Sequence, residues 1–264
     1  MNFVHRTHAA SVLSISHTVL IPSYNTGARL CRTVMDIRRL GWPVWVIIDG
    51  STDDSADELA RIAGSDDALH VSVLPRNRGK GAAILHGLRL AHAHGFTHVV
   101  TVDADGQHCA DDIGILIAHS RECPEAMVLG VPIFDESAPA IRVAGHAIAN
   151  FWANLVTLWS GIDDSLFGFR VYPVARLLEA FAETPWMRRF DFDSEAVIRL
   201  CWQGVPPLNV PTPVRYFRSS DGGVSHFRYM RDNVLLVFMY IRLLAGLVRR
   251  LPVLLKRRFR SSRH

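Results

Sequence analysis

The feature that most constrains the fold is an alternation, over residues 19–131, of short and almost wholly apolar runs with segments of helical spacing. The runs at 19–21, 44–48, 70–74, 98–102 and 126–131 predict strands, and helices are predicted at 28–40, 54–63, 80–94 and 111–120. Strands that are apolar on both faces are typical of a parallel sheet covered by helices on both sides. Ligands bind beyond the carboxyl ends of such strands, so the polar residues found there are candidate site residues.

The second half of the chain does not continue the regular alternation of strands and helices. It predicts helices at 143–159, 174–181 and 192–202, a strand at 166–172, a proline-rich turn region at 206–213 and a long amphipathic helix at 225–251 that Pro252 ends. The apolar stretch 234–248 is too short for a membrane span and contains Arg242. The four cysteines lack metal-ligand spacing, which favours free thiols in a reduced intracellular protein.

Charge is distributed unevenly along the chain. Residues 215–264 hold twelve Arg and Lys against two Asp, a formal charge of +10, whereas the remainder carries −6. A basic amphipathic segment fits an interfacial helix on anionic lipid, and a core-packing helix with a solvated basic end fits equally. Nucleic acid is not expected as a partner, because few aromatic residues interleave with the basic ones.

The strongest chemical signal directly follows the fourth predicted strand. Asp103, Asp105 and Gln107 alternate there with small residues. Two carboxylates and an amide so placed suit a hard divalent cation, which can neutralise a diphosphate leaving group. A polar turn that uses its Asp residues for backbone hydrogen bonds is the alternative.

Two further turns follow strands. Asp49 precedes Gly50 at the end of the second strand and suits hydrogen bonds from a nucleobase or ribose, while Ser51, Thr52 or Asp53 is expected to cap the next helix. Lys80 lies between two glycines at the start of the third helix and is one of only two lysines in the chain. A phosphate contact and a solvated basic turn both fit this position.

Four motifs, taken in order, resemble the family 2 glycosyltransferases and most closely their dolichyl-phosphate mannose synthase-like branch: Pro22-Ser23-Tyr24-Asn25, Asp49-Gly50-Ser51, the turn 77–81 and the segment 103–108. The resemblance covers residues 18–204. It implies a GT-A fold, an α/β architecture in which helices flank a mostly parallel sheet. It also implies a nucleotide-sugar donor and Mg²⁺ or Mn²⁺. By position, it implies donor contacts at Pro22, Tyr24, Asn25, Asp49 and Lys80, and a metal and diphosphate site at Asp103, Asp105 and Gln107.

The family pattern also extends to the acceptor side. The segment 163–170 resembles its D-x-x-x-G-F-R element, so Asp163 or Asp164 is a candidate general base and Arg170 a candidate phosphate contact. An Asp-rich turn with Arg170 in a structural ion pair is the alternative. By the same resemblance, Asp193 and Glu195 are secondary candidates beside the acceptor, although a helix cap explains much of this acidic segment.

A glycine-rich loop at 221–228 precedes the last predicted helix. It is expected to close over the donor with His226 and Arg228 on the diphosphate, or to be a structural loop in which Ser225 caps the helix. The chain departs from the family pattern at Thr26 and Ile48, where an acid is usual. Both departures affect the donor end and leave the sugar and the nucleobase open.

Taken together, these observations predict a metal-dependent enzyme that transfers a sugar from a nucleotide-sugar to a lipid-linked acceptor with inversion. It is expected at the inner face of the cell membrane, peripherally attached. The predicted domains are a flexible leader at 1–17, a catalytic domain at 18–218 whose nucleotide-binding half ends near 131, and a loop, helix and basic tail at 219–264. A non-catalytic nucleotide- or lipid-binding protein is the alternative, and a phosphohydrolase is disfavoured because no Asp follows the first strand.

Overall fold

The computed structural model describes residues 16–134, 138–214 and 229–261, with all side chains except those of residues 229–231, 233 and 259–261. The strands are β1 (His17–Ser23), β2 (Val44–Asp49), β3 (Leu69–Leu74), β4 (His98–Thr101), β5 (Met127–Ile133), β6 (Arg170–Pro173) and β7 (Pro207–Pro213). They form a seven-stranded sheet in the order β3-β2-β1-β4-β6-β5-β7. Only β6 runs antiparallel to its neighbours, so the predicted mostly parallel sheet is confirmed.

Eight helices cover this sheet within the described ranges. They are α1 (Ala28–Arg39), α2 (Ser55–Ala63), α3 (Lys80–Ala93), α4 (Ile113–Glu122), α5 (Ala140–Val156), α6 (Val174–Ala182), α7 (Asp191–Gln203) and α8 (Tyr229–Ser261). The helices predicted in the first half are confirmed to within a few residues. Helix α4 is preceded by a short 3-10 turn at Ala110–Asp112.

The core has two layers because successive residues of a strand point to opposite faces. On one face, Leu20 and Ile47 pack with α3, α6, α7 and α8. On the other, Val19 and Ile48 pack with α1, α2 and α4. Both faces of the central strands are therefore buried, and this explains why their sequences are continuously apolar.

The sequence-based assignment was wrong for the last two strands. β6 begins at Arg170 rather than near 166, since the carboxylate of Asp164 accepts the backbone N–H groups of Leu166 and Phe167 and holds this stretch as a turn. The predicted turn region 206–213 is instead β7, which pairs in parallel with β5 at one edge of the sheet. Its prolines stand at alternate positions, so their nitrogens face away from the partner strand.

The C-terminal helix also differs from the prediction. α8 continues through Pro252 to Ser261, and its predicted start near Ser225 lies outside the described residues. The turns beyond Pro252 are held to the body of the protein because Arg257 donates to the carbonyl of Trp202 and Arg258 to that of Leu158. A proline lacks one helical hydrogen bond, and these contacts compensate for it.

The leucine face of α8 packs into the core rather than facing outward. Met239 and Leu243 are buried there, and Leu236, Leu244 and Leu247 pack against the same cluster. A different set of apolar side chains on α8 is exposed: Val234, Val237, Phe238, Ile241, Val248, Leu251, Val253 and Leu255. No helix in the described ranges is long and apolar enough to cross a membrane.

Candidate active site

The candidate site lies beyond the carboxyl ends of β1, β2 and β4, where the sequence predicts it. Pro22, Tyr24 and Asn25 are partly exposed at the end of β1. Asn25 has a positive φ of 48° and accepts a 2.7 Å hydrogen bond from the backbone N–H of Thr52, which ties the loop after β1 to the loop after β2. These residues therefore form one continuous rim at the sheet edge.

Asp53 reinforces this rim and also binds the start of α2, as expected of a capping residue. Its Oδ2 accepts the backbone N–H of Gly27 at 2.8 Å, and its Oδ1 accepts the backbone N–H and the hydroxyl of Ser55, the first residue of α2. Thr26 is buried with its hydroxyl on Ser23, and Ile48 is wholly buried in the core. The side chains at the two departures from the family pattern are thus buried.

The carboxylate of Asp49 is engaged by the neighbouring turn. It accepts backbone N–H bonds from Arg78 and from Gly79, the latter at 2.7 Å, and only 2 % of the residue is exposed. Gly50 lies directly against the backbone of Arg76, where any side chain would collide. Asp49 therefore fixes the turn that begins α3.

Lys80, at the start of α3, lies between two carboxylates. Its Nζ is 2.7 Å from Oδ1 of Asp103 and 2.9 Å from Oδ2 of Asp193. Burial opposes the charge on Lys80, yet the two carboxylates outweigh it and raise its pKa. The same lysine, with other nearby cations, overcomes burial to hold the pKa of Asp103 below its usual value. The sequence predicts a phosphate contact for Lys80 and contains no signal for its pairing with Asp193.

Asp103 and Asp105 lie just beyond β4, in the loop that the sequence singles out. The side chain of Asp103 is 31 % exposed, so it does not point into packed interior. Asp105 accepts the backbone N–H of Gln107 at 3.0 Å. Burial and then the charge of Asp103 raise the pKa of Asp105 to about 6, and together they outweigh the opposing charges of Lys80 and Arg142.

A divalent cation fits this donor set. The described residues contain no group of three His, Cys, Asp or Glu side chains that could hold a metal by themselves. Mg²⁺-type sites commonly use one or two carboxylates and complete the shell with substrate phosphates and water. Asp103, Asp105 and the amide of Gln107 provide that partial shell, and a cation would relieve the repulsion that raises the pKa of Asp105.

His108, the last residue of the segment 103–108, stabilises the loop, a role that the sequence does not predict. Its Nδ1 accepts the backbone N–H of Asp103 at 3.1 Å, and its ring stacks on Phe169 with centroids 4.9 Å apart. Burial lowers the pKa of His108 to about 4, so the ring is neutral near pH 7. The neutral form is required because only an unprotonated Nδ1 can accept this hydrogen bond.

Among the acceptor-side candidates, Asp163 is exposed whereas Asp164 is 2 % exposed. Arg170 is wholly buried and donates to the hydroxyl of Tyr172 and to the carbonyl of Asp193, so it lies beneath the site in this conformation. Its Nε and Nη2 atoms lack a hydrogen-bond partner among the described residues. Asp193 pairs with Lys80, as described above.

The other three candidates of the second half are separated from this edge or not described. Glu195 is fully buried between Arg199 and Arg242 and takes no part in the open site. His226 and Arg228 lie outside the described residues.

A sheet of this order, with a carboxylate pair beyond its central strand, has the architecture of a GT-A nucleotide-sugar transferase. A model of the family "Glycosyl transferase family 2" matches residues 18–168, more than half of the chain. The protein belongs to glycosyltransferase family 2.

Among its sequence relatives is the UDP-N-acetylglucosamine–dolichyl-phosphate N-acetylglucosaminyltransferase of Methanococcus voltae. It is 24 % identical over 196 residues, which cover 68 % of this chain and 78 % of the relative. An undecaprenyl-phosphate 4-deoxy-4-formamido-L-arabinose transferase of Salmonella paratyphi B is 35 % identical over 121 residues, but these cover only 43 % of this chain and 36 % of that protein.

Solved structures share the fold. Glucosyl-3-phosphoglycerate synthase of Mycobacterium tuberculosis, in complex with Mn²⁺, UDP-glucose and phosphoglyceric acid, aligns with a TM-score of 0.61 at 18 % identity, covering 90 % of this chain and 80 % of that one. Mannosyl-3-phosphoglycerate synthase of Rubrobacter xylanophilus aligns with a TM-score of 0.60 at 16 % identity, covering 90 % and 75 %. At these identities the likeness establishes the GT-A architecture.

Proposed function

We propose that the protein is a metal-dependent transferase that moves a sugar from a nucleotide-sugar to a polyprenyl phosphate or another lipid-linked acceptor, inverting the anomeric carbon. The observation that carries the proposal is the pair Asp103 and Asp105 at the open end of β4, where Lys80 pairs with Asp103 and where burial and the charge of Asp103 raise the pKa of Asp105. Such a pair is suited to a donor diphosphate that arrives with its cation.

Different residues would bind the nucleoside and the diphosphate of the donor. Pro22, Tyr24 and Asn25 border the space beyond β1 that a nucleoside would occupy, and Asp49 holds the turn before Lys80 in place. Mg²⁺ or Mn²⁺ held by Asp103, Asp105 and Gln107 would act as a Lewis acid on the leaving diphosphate. Lys80 fixes the rotamer of Asp103 by its 2.7 Å contact, so the site is organised before the donor binds.

A lipid-linked acceptor is supported by two independent observations. The relatives from Methanococcus voltae and Salmonella are named for dolichyl-phosphate and undecaprenyl-phosphate acceptors. Exposed apolar side chains are also present on α5 and α8, among them Phe151, Val237 and Ile241, and α8 carries the exposed basic residues Arg249, Lys256 and Arg258 nearer its C-terminal end. An apolar surface with basic neighbours suits the cytoplasmic face of an anionic membrane, where each nearby Lys or Arg contributes about 1 kcal/mol.

The non-catalytic alternative rested on Thr26 and Ile48. Both residues are buried, so neither argues against donor binding.

The test is sugar transfer from a panel of nucleotide-sugars, including UDP-glucose and UDP-N-acetylglucosamine, to undecaprenyl phosphate in anionic vesicles. Transfer should require Mn²⁺ or Mg²⁺, stop with a chelator and fall at least 100-fold in Asp105→Asn. Asp111→Asn is the matched control, because Asp111 is an exposed acid a few residues further along. Full activity in Asp105→Asn, or transfer that persists without divalent metal, would contradict the proposal.

A further inference from the structure

A histidine that the motifs do not include is held by a buried carboxylate on the acceptor side. Nδ1 of His146, on α5, lies 2.5 Å from Oδ2 of Asp164. The ring also meets the edge of Phe134, just beyond the end of β5, with centroids 5.2 Å apart. The His146 side chain is 14 % exposed and that of Asp164 only 2 %, so the histidine is the member of the pair that solvent reaches.

Both carboxylate oxygens of Asp164 are engaged in hydrogen bonds. Its Oδ1 accepts the backbone N–H groups of Leu166 at 2.9 Å and Phe167 at 2.6 Å, while Oδ2 faces His146. Burial alone would raise the pKa of Asp164, but the hydrogen bond and charge of His146, with the N–H of Phe167, bring it below its usual value. The carboxylate is therefore ionised and already occupied, which is unlike a base that must meet the acceptor itself.

The carboxylate also sets the chemistry of the ring. A carboxylate beside Nδ1 requires the hydrogen of a neutral imidazole to be on Nδ1, so Nε2 carries the lone pair. This division of roles, in which an acid orients a histidine whose other nitrogen handles a proton, is general in acid–base catalysis.

The neighbours of His146 on α5 contact two loops of the candidate site. Arg142 precedes it by one helical turn on the same face of α5, and Nη1 of Arg142 lies 3.5 Å from Oε1 of Gln107. Asn150, one turn further, binds the backbone N–H of Ser165 at 2.8 Å. Successive turns of a helix are about 5.4 Å apart. His146 thus lies between the loop of Asp105 and Gln107 and the loop of Asp163 and Asp164.

We propose that His146, oriented by Asp164 as a positioning residue, is the group that takes the proton from the acceptor. In the reaction the acceptor oxygen forms a bond to the anomeric carbon, and the bond from that carbon to the diphosphate breaks with its electron pair leaving on the nucleoside diphosphate. The acceptor proton passes to Nε2 of His146 and then to solvent. With a phosphate acceptor this is the single proton of its monoanion, the form that predominates only below its pKa of about 6. The inference rests on the proposed transferase function.

The experiment compares His146→Gln with His119→Gln, a matched control that removes an exposed helix histidine also near an acid, Glu122. Turnover is measured with undecaprenyl phosphate as acceptor and, separately, as hydrolysis of UDP-glucose and UDP-N-acetylglucosamine with water as acceptor. His146→Gln should lose about 10²–10⁴-fold in hydrolysis, and in transfer below about pH 6, where the acceptor phosphate still carries its proton, with unchanged affinity for UDP and Mn²⁺ by calorimetry. A wrong choice of lipid leaves the hydrolysis comparison intact, so it would count against the acceptor and not against His146.

Two further readouts separate proton transfer from a structural role. Added imidazole should restore part of the hydrolysis in His146→Ala, and the decline of wild-type hydrolysis toward acid pH should be lost in His146→Gln. The charged groups facing the ring among the described residues are Asp164 and, one turn away, Arg142, with Arg170 acting on Asp164.

Asp164→Asn should lose less activity than His146→Gln, since it disturbs only the orientation of the His146 ring. Hydrolysis and transfer within twofold of wild type in His146→Gln would overturn the proposal.

Discussion

Arg242, in the middle of α8, forms an ion pair with Glu195 of α7, a carboxylate that is completely buried. Nη2 of Arg242 lies 2.8 Å from Oε2 of Glu195, and the guanidinium also covers the ring of Trp186 at 4.6 Å. Arg199 contacts the other oxygen of Glu195 at 2.7 Å. Arg242, the charged residue within the apolar stretch 234–248, therefore links α8 to α7.

Replacing Arg242 by Met should lower the free energy of unfolding by about 2 kcal/mol, because Glu195 stays buried with only one of its two arginines. Chemical denaturation measures this directly. Arg249→Met, an exposed neighbour on the same helix, should change stability by less than about 0.5 kcal/mol. Equal effects of the two substitutions would show that the buried pair does not hold α8 in place.

Lys80→Gln should destabilise the fold by about 3–5 kcal/mol, since it leaves the buried carboxylate of Asp193 and the partly exposed carboxylate of Asp103 without their shared cation. Adding Asp193→Asn should recover part of the loss, because one of the two uncompensated charges is then removed. The only other lysine, the exposed Lys256, provides the control Lys256→Gln. A double variant no more stable than Lys80→Gln would argue against the coupling.

Affinity for Mn²⁺ in the presence of nucleoside diphosphate should weaken as the pH falls below about 6. The pKa of Asp105 is raised to about 6, so below this value a proton competes with the metal, by roughly tenfold per pH unit. Paramagnetic relaxation titrations at pH 5, 6 and 7 measure the effect. Asp105→Asn should bind Mn²⁺ more weakly and lose this dependence; an unaltered slope in the variant would assign it to another group.

His108 should make the protein less stable in mild acid. Its pKa is lowered to about 4 in the folded state from 6.5, so between these values the unfolded chain binds more protons and stability falls as the pH drops. The loss from pH 7 to pH 4 attributable to His108 is about 3 kcal/mol. Urea unfolding across this range should show a flatter pH dependence for His108→Gln, and parallel curves for the two proteins would refute the assignment.

Much of the fold was predictable because local patterns carried it. The strands β1 to β5 and the helices between them follow from apolar runs and 3.6-residue spacing, and Asp103, Asp105 and Gln107 follow from their position after a strand. The edge strand β7 was missed because its prolines are typical of turns, and only the pairing with β5 makes them compatible with a strand. The extension of α8 past Pro252 depends on contacts of Arg257 with a residue 55 positions earlier.

The sequence by itself determined the architecture and the chemical type of the site, since periodicity, apolar strands and the residues at strand ends are local properties. Tertiary structure alone decided which charges meet: Lys80 with Asp193, Glu195 with Arg242 and His146 with Asp164. These partners are separated by 18 to 113 positions along the chain. Burial and proximity, which set the protonation state of each group, arise only when the helices pack onto the sheet.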